Sequence, residues 1–415
     1  MDVIYRRNDC RGCGCHDLEM VLSLKSSPIG DAYVTSERLN ESQPTYPIDL
    51  HICKQCGLAQ IVDVIDPDVL YGEYIYVTAS SMGLAEHFSG YADSVVERCR
   101  LEPGSLVVDI GSNDGTLLRH FQGKGMNVLG IEPASHIADQ ATASGVKTVD
   151  RFFTPAIAEE LANDYGKAKV ITANNVFANI DDLKSWVEAV KKLLAKDGVF
   201  VFESFYLADL LQNMVFDFIY HEHLSAFSVK PIRSLFACAG LELISVERVP
   251  TKGGSLRYFV QYPNGSLAED GSVTKLLALE ERMGLYRRET YDAFAAKVDT
   301  LKQQTSAFLA QAKSKGKIVA GFGASITCTT LIYHFEIGHH LDYLLDDNPA
   351  KQGRFSPGLH LPVLPSTALA DRKPDYVVAL AWRYAEPFIQ KNQRYLESGG
   401  CFVVPVPEFK VVRNA

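Results

Sequence analysis

No stretch of about 18 consecutive apolar residues occurs in this chain, so it lacks the length of greasy helix that a bilayer requires. The N-terminus, Met-Asp-Val-Ile-Tyr-Arg-Arg-Asn-Asp-Cys10, has no apolar segment of the kind a secretory signal carries. A cytoplasmic protein with no membrane partner is the expectation. Basic residues are also in deficit. Against 50 Asp and Glu there are 41 Lys and Arg, a formal net charge of -9, which is the wrong sign for a surface that displaces counterions from phosphate backbones. Nucleic acid is therefore not an expected partner. Cysteine is sparse beyond residue 56, where Cys99, Cys238, Cys328 and Cys401 lie scattered in apolar contexts. An odd total of nine, unevenly spaced, excludes a disulfide framework and points to one metal site plus buried thiols.

What is present is globular. The chain has 415 residues, 47% hydrophobic and 22% charged, too many for a single ordinary core, so two or three domains are expected. Cys10-Arg-Gly-Cys13 and Cys53-Lys-Gln-Cys56 are two C-x-x-C pairs, each followed by glycine (Gly14, Gly57), with the spacing of a four-cysteine zinc site. Cys15 and His16 compete as ligands, and a redox C-x-x-C pair is the alternative reading. Four thiolates close the coordination sphere of zinc, so the ion's expected role is structural. Tyr71-Gly-Glu-Tyr74-Ile-Tyr76-Val-Thr78 follows, either a wall of phenol donors or ordinary core tyrosines.

Leu106-Val-Val-Asp109-Ile is a buried strand that breaks at Gly111-Ser-Asn113-Asp-Gly115 into a helical pattern. A second strand, Asn127 to Ile131, ends in Glu132-Pro133, about 20 residues beyond the first glycine, where a doubly wound sheet places an acid against a ribose diol. The alternation continues through a strand near 169–173 with Asn174 at its end, a helix over 182–194 and a strand over 198–203. Phe152, after a third strand, can flank an adenine or sit in the core. The loop differs from G-x-G-x-x-G and resembles motif I of class I S-adenosylmethionine-dependent methyltransferases, which makes nicotinamide the weaker reading.

Phe216-Asp-Phe-Ile-Tyr220-His221-Glu222-His223 packs four polar, titratable side chains into an apolar stretch. Burial and neighbouring charges shift such groups toward a neutral-pH donor or acceptor, which points to proton chemistry; a hydrogen-bonded structural knot is the alternative. Residues 270–315 read as long helices. Beyond them Lys317 to Ser325, with Gly321 and Gly323, opens a second Rossmann-like unit, either a nucleotide site or a lobe that closes a cleft. Lys351 and Arg354, near Asp347, offer positive charge for a diphosphate.

Along its whole length the chain resembles the sugar 3-C-methyltransferases of nucleotide-activated 4-keto-deoxysugars. The resemblance rests on the paired C-x-x-C knuckle with Gly57-Leu-Ala-Gln60, the Asp109 to Gly115 loop, Ile131-Glu-Pro133, Phe216 to Ser225, Gly253-Gly-Ser255-Leu-Arg257, and Asp346 to Gly353 with Ser356-Pro-Gly358. It implies an α/β chain of three parts: a zinc-binding domain over 1–78, a methyltransferase domain over 79–265 and a Rossmann-like domain over 266–415. It further implies S-adenosylmethionine and structural Zn2+ as cofactors, a nucleotide sugar as substrate, and a monomer.

In the implied reaction a base removes the carbon-3 proton beside the C4 ketone, and the enolate takes the sulfonium methyl. His223 is the expected base, Glu222 orients or assists it, and Tyr220 with Tyr74 or Tyr76 donates to the enolate oxygen. Asp109, Gly111, Asn113, Gly115, Glu132, Pro133, Phe152 and Asn174 are expected at the cofactor, and Asn179, His221, Ser255, Arg257 and Lys351 at the substrate. The chain departs from the family pattern at Asn179, where histidine is frequent, at Ala226, usually tyrosine, and at Ser325-Ile-Thr-Cys328 in place of Ser-Thr-Lys-Gly. A different keto or enol substrate, or a non-methylating epimerase or dehydratase, are the alternatives.

Overall fold

The computed structural model describes residues 3–71 and 83–414. Tyr74 and Tyr76 lie outside the described residues. In the N-terminal domain, Leu18–Ser27, Tyr46–Cys53 and Ala59–Ile61 form an antiparallel sheet. Leu22 and Leu24 point inward while Ser23 and Lys25 point out, the period-two pattern of a half-buried strand. A fourth strand, Ser225–Ala226, comes from far along the chain and pairs with Ala59 and Gln60. The segment that starts at Phe216 thus ends inside the N-terminal sheet.

The central sheet has seven strands in the spatial order Glu242–Val249, Ser255–Gln261, Leu194–Phe205, Ala168–Asn174, Leu106–Ile110, Asn127–Ile131, Thr148–Val149. The last five are parallel and the Ser255–Gln261 strand runs antiparallel to its neighbours on both sides. Val107, Val108, Val170 and Ile171 are fully buried, because helices cover both faces of the parallel part. Strand order reverses between Leu106–Ile110 and Ala168–Asn174, and a doubly wound sheet binds ligands at such a switch point. The strands expected at 106–110, 127–131 and near 169–173 are found in place. The strand expected from residue 198 begins earlier, at Leu194, across an irregularity in register.

A third sheet of six strands, five of them parallel, runs Val363–Leu364, Tyr343–Leu345, Val319–Phe322, Tyr376–Ala379, Cys401–Val404, Lys410–Val412. The helical stretch between the sheets divides into Ser272–Arg282 and Arg288–Ser314, with Gly284 at φ +63° in the break. The shorter helix packs on the central domain, against Glu242–Val249 and Val229–Cys238, and the longer one reaches the strand Leu18–Ser27.

Glu280 on the shorter helix is fully buried. Its carboxylate accepts from the Tyr206 hydroxyl at 2.9 Å, the Val229 amide at 2.6 Å and the Tyr286 hydroxyl. Burial raises its pKa, and these donors work against that rise. Glu280→Ala would strand several buried donors, and a loss of about 3 kcal/mol is expected. Urea unfolding measures it; an unmoved midpoint would show that the network does not stabilise the junction.

Candidate active site and metal centre

The four Sγ atoms of Cys10, Cys13, Cys53 and Cys56 lie within 4.8 Å of one another. Gly14 and Gly57 adopt φ +82° and +81°, and their amides donate to the carbonyls of Cys10 and Cys53, which closes each knuckle turn. The competing ligands stand aside: His16 Nδ1 lies 2.9 Å from the Asn8 carbonyl, and the Cys15 sulfur accepts from the Asp17 amide. A compact all-thiolate donor set suits tetrahedral zinc with no open position.

A cavity of about 990 Å³ opens at the switch point and extends to all three domains. On the central side Asp109, Gly111, Asn113, Glu132, Pro133, Phe152 and Asn174 line it. Gly111 has φ +69°, and a Cβ there would come 2.3 Å from the Val176 side chain, so only glycine fits the turn. Glu132 accepts the amides of Asn113 and Ala134, each at 3.0 Å, and so fixes the loop as well as facing the cavity. Asp109 accepts from Thr172 Oγ1 at 2.6 Å, and burial raises it to about 7. Ser112 Oγ and Asn174 Nδ2 are buried polar atoms with no hydrogen-bond partner among the described residues. Both residues border the cavity, where S-adenosylmethionine with its ribose, amine and carboxylate offers partners to such atoms. Phe152 is half exposed, whereas Phe153 packs edge-on against Trp186. Gly115 does not reach the cavity wall. It sits at φ +76° before the helix Thr116–Gly123 and packs on Val146.

Tyr220, Glu222 and His223 face the same cavity from the opposite side. His223 Nδ1 lies 2.8 Å from the Phe218 carbonyl, which can only accept, so Nδ1 carries the proton. Burial drives the imidazole down to about 3, so it is neutral and Nε2 keeps its lone pair. That lone pair accepts the Tyr220 hydroxyl at 2.9 Å, with the two rings stacked at 4.0 Å. Both ring nitrogens are taken, so Glu222 does not orient His223 by a hydrogen bond as the sequence led us to expect. Burial, with the nearby charge of Asp31, instead raises Glu222 to about 8, which leaves it a neutral acid at pH 7.

Three residues expected at the substrate lie elsewhere. His221 turns to the N-terminal domain, with Nε2 3.2 Å from the Tyr46 carbonyl and its ring edge-on to Tyr46. Ser255 donates to the Thr251 carbonyl. Arg257 pairs with buried Glu203 at 2.7 Å and stacks over Tyr91, so it serves the sheet rather than the cavity. Asn179 and Lys351 do line the cavity. The Lys351 ammonium is already engaged, by Asp31 and by the Ala324 carbonyl at 2.7 Å, and is not a free charge awaiting phosphate.

Sequence reasoning missed Lys252. It lines the cavity at φ +55°, ψ +28°, a left-handed conformation that costs a non-glycine residue. Burial lowers its ammonium to about 8, while the charge of Glu203 holds it up. The signal was available: the Gly253-Gly254 pair begins one residue later, and a turn of successive positive φ values presents whatever precedes it.

The switch-point cavity, its glycine turn and acid, and the thiolate cluster define a class I S-adenosylmethionine-dependent methyltransferase, joined to a zinc-binding domain and a second Rossmann-like domain. The chain belongs to the C-methyltransferase family: it is 34% identical to the C-methyltransferase NovU of Streptomyces niveus over 99% of this chain and 98% of that protein. Family models match in the same order, a zinc binding domain at residues 10–71, a methyltransferase domain at 84–246 and a C-methyltransferase C-terminal domain at 250–407. Among solved structures, magnesium protoporphyrin IX methyltransferase of Synechocystis PCC 6803 with bound SAH is similar at 14% identity and a TM-score of 0.35, over 43% of this chain and 84% of that one. An S-adenosylmethionine-dependent methyltransferase of Clostridium acetobutylicum ATCC 824 is similar at 15% identity and a TM-score of 0.34, over 48% of this chain and 96% of that one. The enzyme is an S-adenosylmethionine-dependent C-methyltransferase.

Cys53→Ser is expected to lose zinc and loosen the N-terminal domain while the central sheet persists. Elemental analysis reads this directly, and undiminished zinc would contradict the four-cysteine set.

Proposed function

We propose that this enzyme methylates carbon 3 of a nucleotide-linked 4-keto-deoxysugar. The reading is carried by the Tyr220 to His223 hydrogen bond at a cavity whose other wall holds the Gly111 turn and Glu132. S-adenosylmethionine, when bound there, supplies an electrophilic methyl group for a nucleophilic carbon. Asp109, Asn113, Glu132 and Asn174 are the residues that would hold it.

The remaining chemistry belongs to the chain. A hydrogen beside a ketone is acidic because its electron pair delocalises onto oxygen, so the site must accept one proton and stabilise one enolate. His223 Nε2 takes the carbon-3 proton, and the C–H electron pair becomes the enolate. The substrate displaces the Tyr220 hydroxyl from Nε2, which turns that O–H toward the developing negative oxygen. Glu222, protonated at neutral pH, is a second donor, and the Lys252 ammonium adds positive charge. An imidazole lowered to about 3 holds a proton poorly, so preorganised donors carry more of the barrier than base strength does. Asn179 offers the substrate an amide, which binds but does not accept a proton.

A panel of nucleotide-linked 4-keto sugars with labelled methyl donor tests the substrate class, and no methylated sugar from any of them would overturn it. His223→Asn is expected to keep donor affinity by calorimetry yet lose about 100-fold or more in turnover. Wild-type turnover in that variant would remove His223 as base.

The pH profile follows from the same groups. His223 stays neutral over the working range, so no acid limb is expected near the usual imidazole value of about 6.5. As pH rises through about 8, Glu222 loses its donor proton and Lys252 its charge, so kcat/KM is expected to fall there. A profile that rises through pH 8 would instead make ionised Glu222 the base.

A further inference from the structure

The segment that carries Tyr220, Glu222 and His223 has little regular structure of its own. It is a single 3-10 turn, Phe216–Phe218, followed by bends as far as the edge strand Ser225–Ala226. Its placement depends on what grips the two ends, and an arginine from a different flanking domain grips each one, Arg11 fully buried and Arg383 with 14% of its side chain exposed.

At the start, Asp217 is fully buried and 0% exposed. Arg383 Nη1 donates to its two carboxylate oxygens at 3.0 and 2.9 Å, and Trp382 Nε1 donates at 3.0 Å. The same guanidinium lies over the Phe218 ring, 4.6 Å from its centre, and donates through Nη2 to Thr327 Oγ1 at 3.2 Å. Thr327 itself borders the cavity. At the other end, the Leu224 carbonyl accepts from Arg11 Nη1 at 3.1 Å and from the Ile61 amide at 2.9 Å. Arg11 lies inside the zinc knuckle between Cys10 and Cys13, with its side chain 0% exposed, and its Nε donates to Asp181 at 2.9 Å.

Burying the Arg11 guanidinium, and most of that of Arg383, costs desolvation that an apolar side chain of similar volume avoids. What apolar residues cannot do is fork between a carboxylate and a hydroxyl, or between a carbonyl and a carboxylate. The fork fixes orientation as well as distance. Phe218, whose ring lies under Arg383, is also the residue whose carbonyl sets the His223 tautomer.

We propose that Arg383 and Arg11 are positioning residues for proton transfer, an arginine clamp by which the C-terminal domain and the zinc knuckle hold residues 217–224 in register for the Tyr220–His223 hydrogen bond. Neither arginine is among the described residues that line the cavity. Zinc then supports the base at a distance, because the metal fixes the knuckle backbone from which Arg11 reaches Leu224. The proposal rests on the reading that Tyr220 and His223 handle the proton.

The test uses the full-length, zinc-loaded enzyme with Arg383→Lys, Arg383→Met, Asp217→Asn and Arg11→Met. The readouts are zinc content, S-adenosylhomocysteine affinity by calorimetry, the nitrogen NMR shifts of the His223 ring, assigned with His223→Asn, and the steady-state kcat and KM for the donor. Zinc and cofactor affinity are expected to match wild type. The Nε2 shift that marks the bond from Tyr220 is expected to be lost or averaged, and kcat to fall by about 100-fold, the effect of misplacing a reacting group by an ångström, with little change in KM for the donor. Arg383→Lys keeps the charge without the fork and should recover only part. If Arg383→Met does not fold, Arg383→Lys and Asp217→Asn report the same signature. Wild-type ring shifts and kcat in the arginine variants, with His223→Asn inactive, would overturn the clamp and leave His223 as base. Full turnover in His223→Asn would overturn the reading beneath it.

Discussion

The hydrogen bond from His223 Nδ1–H to the Phe218 carbonyl decides which ring nitrogen keeps a lone pair, and the chemistry of the cavity follows from that choice. Because the acceptor is a backbone carbonyl only five residues away, the tautomer is set by the shape of the turn rather than by another titrating group. Burial then removes the charged form of the ring from the working pH range. A neutral imidazole with one committed nitrogen and one available nitrogen is what a proton acceptor needs. The same desolvation raises Glu222 to about 8, so one pocket sets a neutral imidazole beside a raised carboxyl.

A turn so short cannot hold itself in place, which explains why three domains converge on it. The chain leaves the central sheet, passes through Phe216, whose ring stacks on Phe335 of the C-terminal domain at 5.3 Å, and ends as an edge strand of the N-terminal sheet. The zinc site lies within that N-terminal domain and has a closed set of thiolates. Its contribution is therefore to stiffen the wall onto which the turn is stitched. Lys351 and Asp31 make a comparable stitch between the C-terminal and N-terminal domains, close enough to Glu222 for their charges to act on it.

Several site residues were legible because their signals are local. The four cysteines have zinc spacing, Gly111 follows a buried strand, Glu132 ends the next one, and the Tyr220 to His223 tetrad is conspicuous in an apolar context. Arg257, Ser255 and His221 are expected at the substrate because they lie in stretches that carry the family resemblance, and membership of a motif does not fix which way a side chain faces. Arg257 lies on the Ser255–Gln261 strand beside Leu194–Phe205, where Glu203 claims it, and a residue's facing there follows register rather than rank in a motif. His221 sits between two cavity residues yet turns the other way.

The sequence alone determined the strand and helix alternation of the central parallel sheet, the thiolate set and the polar tetrad, because hydrophobic period, glycine turns and ligand spacing act over a few residues. The tertiary structure decided which ring nitrogen of His223 keeps its lone pair, that burial raises Glu222 while His223 bonds to other partners, that Lys252 lines the cavity, and that arginines from the two flanking domains grip the turn. Each of those depends on desolvation and on hydrogen bonds between residues far apart in the chain. Arg11 and Leu224 are 213 residues apart, and Asp217 and Arg383 are 166 apart. No local pattern encodes which distant carbonyl or carboxylate a guanidinium will meet, because only the packed domains bring them within bonding distance.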